Sequence, residues 1–174
     1  GHDALSLGDG AVAIGNESAA VGSGSVAIGA GAFGEGFGAV AVGPTAYAGG
    51  WAATALGIGA SAQGAKSVAL GGAAVAAAES STAVGFGTSA ADFGTAIGEG
   101  AATGSAGTAV GAQSWAADNA VALGGLASAN AQASALGSDS QASGARSTAV
   151  GFRSRALGDD AVAVGTESRA GAYA

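Results

Sequence analysis

Catalysis needs a nucleophile or an acid–base pair with a supporting shell, and this 174-residue chain offers little of either. It has no cysteine, so a thiolate nucleophile, a disulfide framework and a thiolate metal site are all excluded. Its one histidine, His2, follows Gly1 in what reads as the remnant of an expression tag, so residues 1–3 are set aside as a flank. Asp159 and Asp160 are adjacent in a corner and read as a solvated turn. A calcium-binding solenoid would place its aspartates in a regular column, and the twelve acids here keep no common register. The run GEGFG (34–38) has the glycine spacing of a phosphate loop, but no strand–loop–helix context surrounds it. No enzyme activity, cofactor or metal is expected.

The aromatic residues carry more information. Phe33 and Tyr47 are fourteen residues apart, and so are Phe37 and Trp51. Each pair falls at one recurring position, so a structure with that period brings its members onto neighbouring turns as one apolar patch. Exposed aromatic side chains of this kind anchor protein partners. The same spacing also suits a corner groove filled by Phe37 and Trp51 against a neighbouring chain. Trp115 has no aromatic residue one period away on either side.

What must position these residues is a repeat. An apolar–Gly step recurs at Gly15, Gly29, Gly43, Gly57, Gly71, Gly85, Gly98, Gly111, Gly124, Gly137, Gly151 and Gly165. The interval is fourteen residues, thirteen for the four steps from Gly85 to Gly137, then fourteen again. The composition agrees: 35 Gly, 51 Ala and one Pro are unsuited to a conventional core, and collagen would need far more proline. A period of this length marks a solenoid.

Before each marker glycine stands Ile, Leu or Val, before that always Ala, and before that Val, Thr or, at Ser134, Ser. This is a three-residue strand with alternating faces. A second short segment follows. It has Ser, Ala or Thr three residues after the marker and almost always Ala five after it, with a variable residue between. The expected coil is two short strands joined by two glycine corners, with glycine supplying backbone angles that other residues avoid. In the thirteen-residue copies the second corner is the part that shortens.

A coil this narrow admits only Ala, Ser and Gly between its strands, so the alanine columns line the inside. The aliphatic columns then point outward as an apolar stripe, including Val26, Ile28, Val40, Val42, Val68, Leu70, Val121, Leu123, Val162 and Val164. An alanine interior buries too little apolar area to offset the ordering entropy of one chain, and large apolar patches are rarely left in water. The stripe is therefore expected to be a subunit interface, in a cyclic dimer or trimer.

These columns resemble the head repeats of trimeric autotransporter adhesins, the YadA-like head, whose motif is approximately SVAIGxxSxAxGxxS. GASAQGAKSVALG (59–71) and GSDSQASGARSTAVG (137–151) are close copies, and essentially all of 4–171 aligns. The resemblance implies an all-β, left-handed parallel β-roll of about twelve coils, each of 13–14 residues and two strands, assembled as a homotrimer. It also implies display on the surface of a Gram-negative bacterium and attachment to host extracellular-matrix protein or a cell-surface receptor. No heptad stalk, neck or membrane anchor is visible, so 4–174 reads as a fragment of a longer head.

Charge sharpens the partner class. The net charge is −7, and residues 1–65 contain neither Lys nor Arg, which argues against nucleic acid. No apolar run is long enough for a transmembrane helix, and no membrane contact is expected from this segment. Arg146, Arg153, Arg155 and Arg169 gather in the C-terminal quarter, where they are expected to pair with Asp159, Asp160 or Glu167 across chains or to solubilise that end. One other function class competes. Thr82, Thr95 and Thr108 recur one period apart, as on a flat ice-binding face, although Val holds that column in most other copies. A purely structural spacer is the blander form of that alternative.

Overall fold

A computed structural model describes residues 1–171. Its regular elements are strands of two or three residues, and the described residues include no helix. They make about twelve turns of parallel β-solenoid, in two compact units, Gly1–Asp92 and a second beginning at Phe93.

In the first unit the strands Val12–Ile14, Val26–Ile28, Val40–Val42, Thr54–Leu56, Val68–Leu70 and Thr82–Val84 form one parallel sheet. The two-residue strands Leu5–Ser6, Ala19–Ala20, Phe33–Gly34, Tyr47–Ala48, Ser61–Ala62, Val75–Ala76 and Ser89–Ala90 form the other. The second unit repeats the plan, from Thr95–Ile97 to Val162–Val164 in one sheet and from Ala102–Thr103 to Arg169–Ala170 in the other. Within each unit the register does not slip among the described strand pairs. Val26, Ala27 and Ile28 pair with Val40, Ala41 and Val42, and those pair with Thr54, Ala55 and Leu56. A column in the sequence is therefore a column in space.

The inside and outside follow the volume argument. Ala27, Ala41, Ala55, Ala69 and Ala83 on the longer strands are fully buried, as are Ala20, Ala48, Ala62 and Ala76 on the shorter ones. The aliphatic residues flanking each inner alanine point the other way. Val26, Ile28, Val40, Val42, Val68, Leu70 and Val121 are half-buried between equivalent side chains on adjacent coils. Leu123, Val162 and Val164 are exposed.

The interior also holds a column just before each longer strand, not assigned to the inside from sequence: Ser25, Ala39, Ala53, Ser67 and Ser81 in the first unit. Two of these serines bond locally, whereas the Ser25 hydroxyl is buried with no partner among the described residues. Ser67 Oγ donates to the Gly64 carbonyl and Ser81 Oγ to that of Ala78, each at 2.7 Å. On the facing strand Ser114 Oγ donates to Gly111 and Ser140 Oγ to Gly137. A buried polar group with its bond made costs little. The largest fully buried side chain is Thr88, so the core is built from small residues.

The two corners differ from expectation in how they use glycine. The marker glycines do take left-handed angles, as at Gly43 with φ of 129°. The glycines seven residues after the marker, Gly22, Gly36, Gly50 and Gly64, do not. At Gly50 a Cβ would lie 1.9 Å from the Gly64 carbonyl oxygen, so the residue must be glycine because the next coil passes too close. The left-handed turn position in each corner is held by glycine in some coils, as at Gly24, Gly31, Gly38 and Gly59, and by other residues elsewhere, such as Glu17, Thr45, Ala52 and Lys66. In the shortened copies the second corner is indeed where the residue is lost. Four residues separate Thr103 from Thr108, whereas five separate Ala48 from Thr54. Residues 1–3 take up the corner geometry of 15–17, with Asp3 at φ of 54° and the His2 carbonyl accepting from Glu17 N–H.

Candidate functional site

Outward positions on the shorter strands carry the first candidate patch. Phe33 and Tyr47 are paired in register on adjacent strands, and their rings are stacked, 5.8 Å between centroids and 4° between planes. Tyr47 is held further by its hydroxyl, which donates to Glu35 Oε2 at 2.5 Å. This bond to a carboxylate, with some burial, raises the Tyr47 pKa above its ordinary value. Beneath the ring lies Gly49, where a Cβ would come within 2.6 Å of the Tyr47 hydroxyl oxygen. The ring thus lies flush against the sheet, fixed by Phe33, Glu35 and Gly49.

Phe37 and Trp51 occupy equivalent places in the second corner of successive coils, joined by the Ala52 N–H donating to the Phe37 carbonyl. Both are exposed, at 61% and 52%. The sequence places no cation among these aromatics, but Lys66 does reach them, its amino group 5.6 Å from the centre of the Trp51 ring. Cation–π contact of this kind steadies an exposed indole.

Other exposed apolar groups had escaped the sequence reading. Ile58 and Phe86 stand in the first corner, two coils apart and both about two-thirds exposed, with Gly72 between them. A Cβ at Gly72 would sit 3.2 Å from Phe86 Cδ2, so the absent side chain makes room for the ring. Their signal was available, since the column otherwise holds residues such as Asn16, Ala30 and Pro44. Trp115 is exposed and flanked in register by Ala102 and Ser128.

In the second unit the arginines divide into two kinds. Arg146 forms a fork with Asp160, Nε to Oδ1 and Nη2 to Oδ2, both 2.7 Å. That pairing holds the Asp160 carboxyl below its usual range and raises the Arg146 pKa. Asp159 accepts from the Ala145 N–H, and Arg153 pairs with Asp139 at 3.3 Å while lying over the Phe152 ring. Asp159 and Asp160 are therefore partnered within the chain. Arg155 and Arg169 face each other in register on adjacent strands and make no ion pair among the described residues. Thr95 and Thr108 are also register partners, followed by Val121.

The sequence matches the YadA head domain repeat over residues 6–32, 52–74, 62–88, 130–154, 142–168 and 156–172, which together take in more than half of the chain. Among solved structures, the fold is similar to the collagen-binding domain of the Yersinia adhesin YadA, with a TM-score of 0.54 and 28% sequence identity. That similarity covers 64% of this chain and 69% of the other. No curated protein sequence matched. Residues 33–51, with all four aromatics of the candidate patch, fall between matched segments. There the coil geometry continues while the outward side chains depart from the repeat.

Proposed function

This chain belongs to the YadA head-repeat family, and from that premise we propose that it is a bacterial surface adhesin segment that attaches to host extracellular-matrix protein or cell-surface receptor as a homotrimer. The observation that carries the reading is the departure at 33–51. Phe33 and Tyr47 stack on an outward face, with Phe37 and Trp51 exposed in the adjoining corner. A parallel sheet needs none of these rings for its hydrogen bonds, so their function lies outside the coil. Rigid aromatic side chains supply contact area at low entropic cost, which is what a protein-binding surface requires.

Trimer assembly rests on the other sheet. Val26, Ile28, Val40, Val42, Val68 and Leu70 line one flat face of the first unit, and Val121, Leu123, Val162 and Val164 the same face of the second. Covering that face with two sister chains supplies the large apolar side chains that the alanine core lacks. The collagen-binding domain of YadA suggests collagen as the first ligand to try.

The test has two arms. Sedimentation reports assembly; a trimer is expected, and a stable monomer would return the threonine column to water and revive the ice-binding alternative. Immobilised collagen, fibronectin and laminin then receive the parent protein and the Trp51→Ala and Tyr47→Ala variants. Binding by the parent, weakened at least about tenfold by either variant, supports the patch. A trimer that binds none of these surfaces would leave a spacer as the better reading.

A further inference from the structure

Arg155 and Arg169 are an unusual pair to find opposed on a sheet. Like charges directly opposite each other are destabilising, and neither guanidinium makes an ion pair among the described residues, although Glu167 lines the same cleft. The preceding residue in the same column is Gln141, so nothing in the repeat demands a cation there. The two arginines line a shallow cleft of about 280 Å³ together with Arg153, Glu167 and Ser168. Arg153 is already turned toward Asp139 and the Phe152 ring, which leaves Arg155 and Arg169, on adjacent strands, without an ion pair among the described residues. The Ser168 hydroxyl is buried and unpartnered among the described residues, although Ser154 and Ser140 in the same column bond back to their corner carbonyls.

We propose that this cleft binds a sulfated polysaccharide. A guanidinium fork matches the oxygens of a sulfate, and an anion between Arg155 and Arg169 would remove their mutual repulsion. Adjacent strands are about 4.8 Å apart, close enough for one sulfate to engage both side chains. Glu167 sets the class of anion. A carboxylate beside the arginines repels a uniformly charged phosphodiester backbone, yet it accepts hydrogen bonds from sugar hydroxyls. The Arg153 guanidinium lies over the Phe152 ring, which stays exposed beside it. The chain's net charge of −7 also discourages diffuse binding of polyanions, confining the interaction to this locally cationic face.

This site is independent of the aromatic patch and of collagen binding. The experiment is calorimetric titration of the full chain at low salt with a heparin-derived octasaccharide, its desulfated form, sodium sulfate and a short DNA duplex. Saturable binding of the sulfated octasaccharide alone is expected, and it should weaken steeply as salt is added. Arg155→Ala and Arg169→Ala should each reduce affinity about tenfold, while Arg146→Ala changes it by less than about twofold. The Arg155→Thr variant should melt no lower than the parent, because a repulsive pair has been removed. Failure of the octasaccharide to bind, equal binding of the duplex, unchanged affinity in both arginine variants, or a lower melting point for Arg155→Thr would each overturn the proposal. Collagen binding that persists in the arginine variants separates this face from the aromatic one.

Discussion

Tyr47 lies directly across from Phe33 on the neighbouring strand, its ring parallel to within 4° and its hydroxyl bonded to Glu35. Three features of the sequence meet in that arrangement: the fourteen-residue period, the small residue at Gly49, and an acid two positions after Phe33. Strand pairing alone would bring the rings together, but it would not fix their tilt. The carboxylate and the bare glycine do that, so the patch presents a flat, preorganised surface.

The Tyr47–Glu35 bond makes a prediction about pH. Tyr47 has a folded-state pKa above 10.0, raised first by the hydrogen bond to Glu35 and then by burial. A raised pKa means that the stability from this contact is fully present below pH 10 and is lost as pH climbs through the folded value. Tyrosinate absorbance, with Tyr47→Phe as the reference, should show Tyr47 titrating above an unperturbed tyrosine. Glu35→Gln should move that titration back toward 10, and Tyr47→Phe should cost under about 1 kcal/mol, since the bond is largely solvated.

Interior and exterior make opposite demands on size. Ala69 is fully buried, with Ala55 and Ala83 as its register partners on either side. Ala69→Leu adds three carbons where the strands leave no space, and it should cost about 3 kcal/mol or more. Gln63 points outward, so Gln63→Leu should stay within about 0.5 kcal/mol of the parent. Thermal unfolding followed by circular dichroism decides between them, and equal tolerance would reverse the assignment of faces.

The period, the strand positions and the inner alanines were legible because every coil repeats the same test of side-chain volume. The column of Ser67 and Ser81 was harder to read as interior, because a hydroxyl looks like a surface group until its local carbonyl partner is known. Lys66 was missed as a partner of Trp51 for a related reason. The two residues are fifteen positions apart, not fourteen, and only the left-handed turn at Lys66 carries its amino group over the ring. The aromatic positions themselves were visible as exceptions to the repeat, and Arg146 was expected to meet Asp160 or its neighbours across chains, whereas their fourteen-residue spacing joins the two within one chain.

Two kinds of second-corner glycine can be separated. Gly50→Ala would drive a methyl group to 1.9 Å from the Gly64 carbonyl oxygen, and backbone on the next coil cannot easily move aside. Its expected cost is about 3 kcal/mol or more. Gly24 has φ of 66° with open space around its missing Cβ, and Asn119 already adopts φ of 57° in the corresponding corner of another coil. Gly24→Asn should therefore cost less than about 1 kcal/mol. Comparable melting points for the two variants would show that the coils are not as closely stacked as these distances require.

Acid should act first on the second unit's fork. Asp160 has a folded-state pKa below its ordinary value of 3.8, chiefly because it accepts from Arg146. A depressed carboxylate contributes stability that is present above pH 3.8 and is lost as pH falls through the folded value. The pair is fully exposed, so salt should weaken it as well. Melting temperature measured from neutral pH downward should therefore fall more steeply below pH 4 for the parent than for Asp160→Asn, and high salt should narrow the gap. Parallel acid limbs for the two proteins would mean that other carboxylates carry the acid sensitivity. The Arg146→Ala variant, which leaves Asp160 free to titrate normally, should behave like Asp160→Asn between pH 4 and pH 2.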